Sequence, residues 1–135
     1  MDRIRKSFEA QAFMKTLGAE LALCEPGLVT IRCEVTETLT QQHGFVHAGV
    51  LASLADSACG YAALSVMPED SEVVSVEFKI NMLRPCTAKT IVAEGRVLKS
   101  GRSIVVCEGA VSDESDGRLF AKMTATMFRV ASDNG

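Results

Sequence analysis

One stretch constrains the chain more than any other. From residue 38 to residue 68 the only Asp, Glu, Lys or Arg is Asp56. Within that stretch, residues 48–66 lack proline and are rich in Ala and Leu, which predicts a helix of about five turns. Such a run either crosses a membrane or forms the centre of a core. Asp56 divides it, Ser and Gly recur in it, and the part beyond Asp56 falls short of the ~20 apolar residues a span requires. The expectation is a core helix and no membrane.

The remaining residues supply what would bury that helix. Residues 2–17 read as one short amphipathic helix, with Ile4, Phe8, Ala12 and Leu17 near one face. Strands are expected at about 19–24, 28–36, 74–82, 88–99, 102–113 and 117–130. The third is the clearest: Val74, Val76, Phe78, Ile80 and Met82 alternate with Ser75, Glu77, Lys79 and Asn81. Gly95, inside the fourth, suggests a bulge. This order predicts an α+β fold in one domain, residues 1–135, with an antiparallel sheet of about six strands wrapped around one long helix. A sheet covers only part of a helix, so a homodimer is the minimal unit expected.

Charge and composition narrow the function. The 135 residues hold 14 Lys+Arg against 17 Asp+Glu, a net charge of −3, with no Trp and one Tyr. No basic stripe with interleaved aromatics is present, so no nucleic-acid partner is expected. The N-terminal MDRIRKSFEA lacks the apolar core of a secretory signal, and a cytoplasmic setting is expected. Cys24, Cys33, Cys59, Cys86 and Cys107 form no CxxC pair and the two His residues add no zinc spacing, so neither metal nor cofactor is called for. They read as reduced thiols packed as small hydrophobes.

A lone carboxylate on a core helix asks for a reason, because leaving water unpartnered costs several kcal/mol. At helical spacing Asp56 shares a face with Ala52, Ser53, Cys59 and Gly60, and with Gly49 and Ala63 one turn beyond, all small. Val50, Leu51, Leu54, Ala58, Tyr61 and Leu64 make the bulkier stripe expected against the sheet. Something can approach the carboxylate closely, either a second helix or a ligand. The lead-in, Gln41-Gln42-His43-Gly44-Phe45-Val46-His47-Ala48-Gly49, offers amides, imidazoles and the free backbone N–H groups of a helix start, ready donors for an oxyanion. Asp56 lies roughly 10–12 Å further down the axis. That gap closes if the helix start of one subunit faces the Asp56 strip of another.

HGFVHAGVLASLADSACGY followed by SVEFKINMLRP resembles the PaaI-like acyl-CoA thioesterases of the hotdog fold. The resemblance covers nearly the whole chain after the first helix. It implies an acyl-CoA substrate, hydrolysis to free acid and CoA, and no cofactor. It matches Asp56 to the family's nucleophile or general base. Gln41, or Gln42 after a one-residue shift, matches the side chain that orients water or thioester. His47 is the family's histidine. Ala48 stands where most relatives have Gly, and its backbone N–H would polarise the carbonyl. Ser75 matches an assisting hydroxyl. Gly49, Ser53 and Gly60 are expected to line the substrate, with Arg84, Lys99 and Arg102 as candidates for the CoA phosphates. The resemblance favours a homotetramer. Two alternatives stay open at this stage. One is a 3-hydroxyacyl-thioester dehydratase on the same fold, with His47 and Asp56 on adjacent carbons. The other is a non-catalytic acyl-CoA-binding module, although a DNA-binding extension finds no room in 135 residues.

Overall fold

A computed structural model describes residues 1–131. Two short helices, α1 (Asp2–Ala10) and α2 (Ala12–Leu17), lead into the hairpin of β1 (Ala19–Glu25) and β2 (Leu28–Glu34). A 3-10 turn at Glu37–Leu39 and an irregular loop precede the central helix α3 (Ala48–Leu64). β3 (Ser71–Met82), β4 (Thr90–Ser100), β5 (Ile104–Asp113) and β6 (Leu119–Ala131) follow. Among the described residues these strands make one antiparallel sheet in the order β1-β2-β4-β5-β6-β3, curled so that α3 lies in its concave face. The predicted layout holds. It is the hotdog fold.

The single N-terminal helix expected over 2–17 is instead two. Gln11 adopts extended angles (φ −79°, ψ 105°) and donates its N–H to the Phe8 carbonyl, which ends α1 and redirects the chain. The central helix stops two residues earlier than expected. Ser65 Oγ donates back to the Ala62 carbonyl (2.6 Å) and accepts the Gly27 N–H (2.8 Å). Arg3 takes the Leu64, Met67 and Pro68 carbonyls at 2.5–2.7 Å, satisfying acceptors that a helix end leaves open.

The helix also sits differently from the two-stripe reading. Ala55, Ala58, Cys59, Ala62 and Ala63 are fully buried, so Cys59 and Ala63 belong to the sheet-facing side and not to the Asp56 strip. A curled sheet surrounds more than half of a helix, so the buried sector is wider than one face of an amphipathic pattern. What stays accessible is Ala48, Gly49, Ala52, Ser53, Asp56, Ser57 and Gly60.

Gly95 marks no bulge; the fourth strand's irregularity falls between Val97 and Lys99. A Cβ built at Gly95 would stand 2.3 Å from the Ala58 carbonyl carbon and oxygen and 2.5 Å from the Cys59 nitrogen. The missing side chain lets helix backbone lie directly on strand backbone. Gly109, its partner on β5, faces Cys59 Sγ at 3.1 Å on the same construction.

Strict alternation fails in β3. Ser75 pairs with Met127 and Glu77 with Thr126, leaving Val76 without a partner in a β-bulge. Beyond it Phe78, Ile80 and Met82 oppose Ala125, Met123 and Ala121, all buried towards the helix. Before it, Ser75 opposes the equally buried Met127. Ser75 therefore shares the helix-facing side with Phe78, Ile80 and Met82, and Val74 is turned to the outer face.

The thiols behave as small hydrophobes. Cys33, Cys59, Cys86 and Cys107 are buried and, among the described residues, no disulfide forms. Burial pushes the Cys107 thiol up to about 12 and raises Cys59 as well, with desolvation the leading cause in both.

Two outcomes are expected. Gly95→Ala should destabilise the fold by about 3 kcal/mol in a denaturant melt, because backbone must move. Gly109→Ala should cost about 1 kcal/mol, because the thiol it meets can rotate. Separately, an unfolded thiol ionises near about pH 8.5. What the protonated thiols contribute is intact below that pH and is lost as the pH climbs towards the folded values, since the unfolded chain then releases protons the folded chain keeps. Unfolding midpoints should fall on the alkaline side, and Cys107→Ala should flatten part of that fall.

Candidate active site

Asp56 stands at the middle of α3, half-exposed, above the start of β3. Ser75 Oγ donates to Asp56 Oδ1 at 2.7 Å and lies 3.4 Å from Met127 Sδ. The Val76 bulge makes this contact, since regular alternation would aim Ser75 at the opposite face. The pair opens into a cleft of about 200 Å³. Its walls hold Ser7, Gln11, Ser57, Gly60, Tyr61, Leu64, Glu72 and Val73, with no Lys, Arg or His. One carboxylate oxygen is engaged by a neutral hydroxyl. The other keeps its lone pairs for a proton or a carbon.

Sequence reasoning missed Ser7 and Gln11 as parts of this cleft. They reach it only because the break at Gln11 folds the N-terminal segment over α3. The one available signal was Gln11 itself, a polar residue interrupting the apolar helical pattern.

A second cleft, of about 620 Å³, forms at the start of α3. Gln41, Gln42, Phe45, His47, Ala48 and Arg84 are among its lining, with Met82, Leu83 and Pro85 opposite. The loop is held by a Thr40–Val46 bridge, by the Val46 N–H donating to the Cys86 carbonyl, and by the His47 N–H donating to the Leu39 carbonyl. Gln41 Oε1 accepts the His43 and Phe45 N–H groups (2.7 and 3.1 Å), which uses its carbonyl and leaves its amide N–H groups to act. Gly44 supplies the left-handed turn at φ 84°.

His47 is the N-cap of α3: its Nδ1 accepts the Gly49 N–H at 2.8 Å. An accepting Nδ1 carries no proton, so the ring's hydrogen resides on Nε2. The next amide, that of Ala48, opens the helix and, among the described residues, finds no hydrogen-bond acceptor, a free donor beside the cleft. Eight residues of helix, about 12 Å, separate it from Asp56. The two groups with chemistry therefore face separate clefts of one protomer.

The other expected residues fall into three places. Gly60 borders the Asp56 cleft and Arg84 the helix-start cleft. Gly49 and Ser53 line a shallow groove with Phe13 and Val50, where Ser53 Oγ donates to the Gly49 carbonyl at 2.7 Å. Lys99 and Arg102 sit on the β4–β5 hairpin, outside every one of these clefts. Strand-end position alone says nothing about which end of a curled sheet a charge will occupy. Among the described residues no group of three His, Cys, Asp or Glu could hold a metal ion.

Comparison with known proteins fits this layout. The thioesterase superfamily model matches residues 43–120, from the helix-start loop into β6. A thioesterase family protein from Silicibacter pomeroyi shares 41% identity, with a TM-score of 0.94 over 97% of this chain and 98% of that one. The 1,4-dihydroxy-2-naphthoyl-CoA hydrolase of Listeria monocytogenes is 30% identical over 105 residues, 78% of this chain and 85% of that protein. The E. coli PaaI protein from the phenylacetic acid degradation operon is 25% identical, with a TM-score of 0.89 over 97% and 93% of the two chains. The chain belongs to the thioesterase superfamily and is PaaI-like.

The N-cap yields a direct test. His47→Ala should cost about 1 kcal/mol of stability, and His47→Asn should recover most of it, read from denaturant midpoints.

Proposed function

We propose that this member of the thioesterase superfamily is an acyl-CoA thioesterase, releasing free acid and CoA at a site shared between two copies of the chain. The observation that carries this reading is the Asp56–Ser75 pair facing one cleft and the unpartnered Ala48 amide facing another. Neither half suffices alone. Attack on a thioester needs a carboxylate and an oxyanion donor around one carbon.

A homodimer supplies both. β3 is an edge strand of 12 residues, with a free row of N–H and C=O groups. On its helix-facing side Phe78 and Met82 are each 42% exposed, an apolar pair beside the free strand edge. Paired antiparallel with its own copy, β3 runs the Ser71 end of one strand beside the Met82 end of the other. That carries each Asp56 cleft towards the partner's Met82–Pro85 wall and so towards its helix start. Further pairing into a tetramer, a cytoplasmic setting and a single functional domain over 1–135 belong to the same reading.

In this arrangement the Ala48 N–H of one subunit receives the carbonyl oxygen, and its affinity rises as charge builds on that oxygen. Asp56 of the other subunit takes the proton of an attacking water or attacks the carbon itself, with Ser75 steadying the carboxylate. The Gln41 amide N–H groups are placed to orient the water or the thioester. Arg84 lines the helix-start cleft and is a cation available there for a CoA phosphate. Lys99 and Arg102 line neither cleft of their own protomer, so a part for them in holding the phosphates would require a second subunit. The dehydratase alternative loses support because His47 spends Nδ1 on the helix cap, leaving one ring nitrogen for chemistry.

Two variants test the scheme together. Asp56→Asn should abolish thiol release. Ala48→Pro removes only the donor, since proline is favoured at the first helical position and His47 already has extended angles (φ −61°, ψ 137°). It should lower kcat about 100-fold to 1,000-fold. Exchanging subunits between the two inactive variants should restore about a quarter of wild-type activity, because half the dimers are mixed and each holds one intact site. No rescue on exchange would place the whole site within one chain.

A further inference from the structure

We infer that the N-terminal segment closes the acyl end of the Asp56 cleft with a polar wall of Gln11, Tyr61 and Ser7, selecting short acyl groups whose far end carries a neutral hydrogen-bonding group. This rests on the hydrolase reading above and concerns which acyl group it takes.

The wall is built by the chain break at Gln11. Its side chain crosses α3, where Nε2 donates to Tyr61 Oη at 2.9 Å and Oε1 accepts from Ser57 Oγ at 3.4 Å. Ser7 Oγ donates to the same Tyr61 oxygen at 3.2 Å. Both lone pairs of that oxygen are then occupied, and the phenolic proton is left for an acceptor in the cleft. The Tyr61 ring is held edge-on by Phe8 (centroids 5.9 Å apart, 61° between planes), and the residue is 6% exposed. The hydroxyl is thus fixed in position before any ligand arrives.

The space in front of it has a definite size and polarity. A Cβ built at Gly60 meets nothing within 4 Å, so this glycine has no packing reason inside the protomer and keeps the cleft open between Asp56 and the wall. Asp56 and Tyr61 line the same cleft five residues apart on α3, an axial offset of roughly 7.5 Å, so the wall stands a short acyl chain away from the carboxylate. The cleft holds about 200 Å³. A cavity of about 150 Å³ accepts benzene, so the part of the site that this protomer encloses has room for a short acyl group. Among the described residues that line it, Asp56 and Glu72 are acidic and none is basic, which disfavours an anionic terminus. The terminus that fits is a hydroxyl or a ketone.

Thiol release should be followed with 6-hydroxyhexanoyl-CoA, heptanoyl-CoA, which matches it in heavy atoms, and decanoyl-CoA. The wild-type kcat/KM for the hydroxylated substrate is expected to exceed that for heptanoyl-CoA about tenfold or more, with decanoyl-CoA slowest. Tyr61→Phe keeps the ring packing, and Gln11→Met keeps the length of the side chain. Each should bring the ratio to within about threefold of unity. A wild-type ratio at or below one, or a ratio that neither variant moves, overturns this inference and leaves the hydrolase intact. No thiol release from any of the three substrates overturns both.

Discussion

The depth at which α3 rests in the sheet sets everything else. At Gly95 a strand backbone and a helix backbone touch with no side chain between them. Gly109 continues that contact on the next strand. A helix seated this low buries Ala55, Ala58, Cys59 and Ala62 completely, and small residues are the ones that fit so narrow a gap. It also sets the height of Asp56 above β3, so the Ser75 hydroxyl reaches it without a water between. A helix pushed outward by one methyl group would lengthen that hydrogen bond. Core packing and the site are in this sense one constraint.

The Val76 bulge is the second device. An extra residue in an edge strand gives up ladder pairing, and it reverses which residues face the helix. Here the reversal exchanges a valine for a serine at the position opposite Met127. The strand gains a hydroxyl for Asp56 and, further along, sends Phe78 and Met82 to the same side. The feature that orients the carboxylate thus also creates the apolar edge that a second subunit is proposed to cover.

The division of chemistry between two clefts follows from helix geometry. An N-terminus is the one place on a helix with free donors, and a carboxylate in the middle of the same helix lies about 12 Å away. No side-chain rotation in a single chain closes that distance. The proposed two-fold pairing of antiparallel copies would close it without any new residue, and so would let a helix of such plain composition serve a reaction needing both groups.

Sequence alone determined the helix, the strands and their order, and the singularity of Asp56. Those depend on local pattern: the near absence of charge over 38–68, period-two alternation, and turn residues between strands. It also pointed to the helix-start loop, because free amides follow from any helix beginning. Tertiary structure decided which way the pattern points. It moved Cys59 and Ala63 into the core, because a curled sheet buries more than one face of a helix. Gly95 proved to be a seat and not a bulge, because only the packed helix reveals what a Cβ would strike. Ser75 turned towards Asp56, because one unpaired residue shifts the phase of everything beyond it, and Gln11 swung over the cleft. Local periodicity specifies what each segment becomes. Phase, depth and approach are properties of two segments together, and no single stretch of sequence contains them.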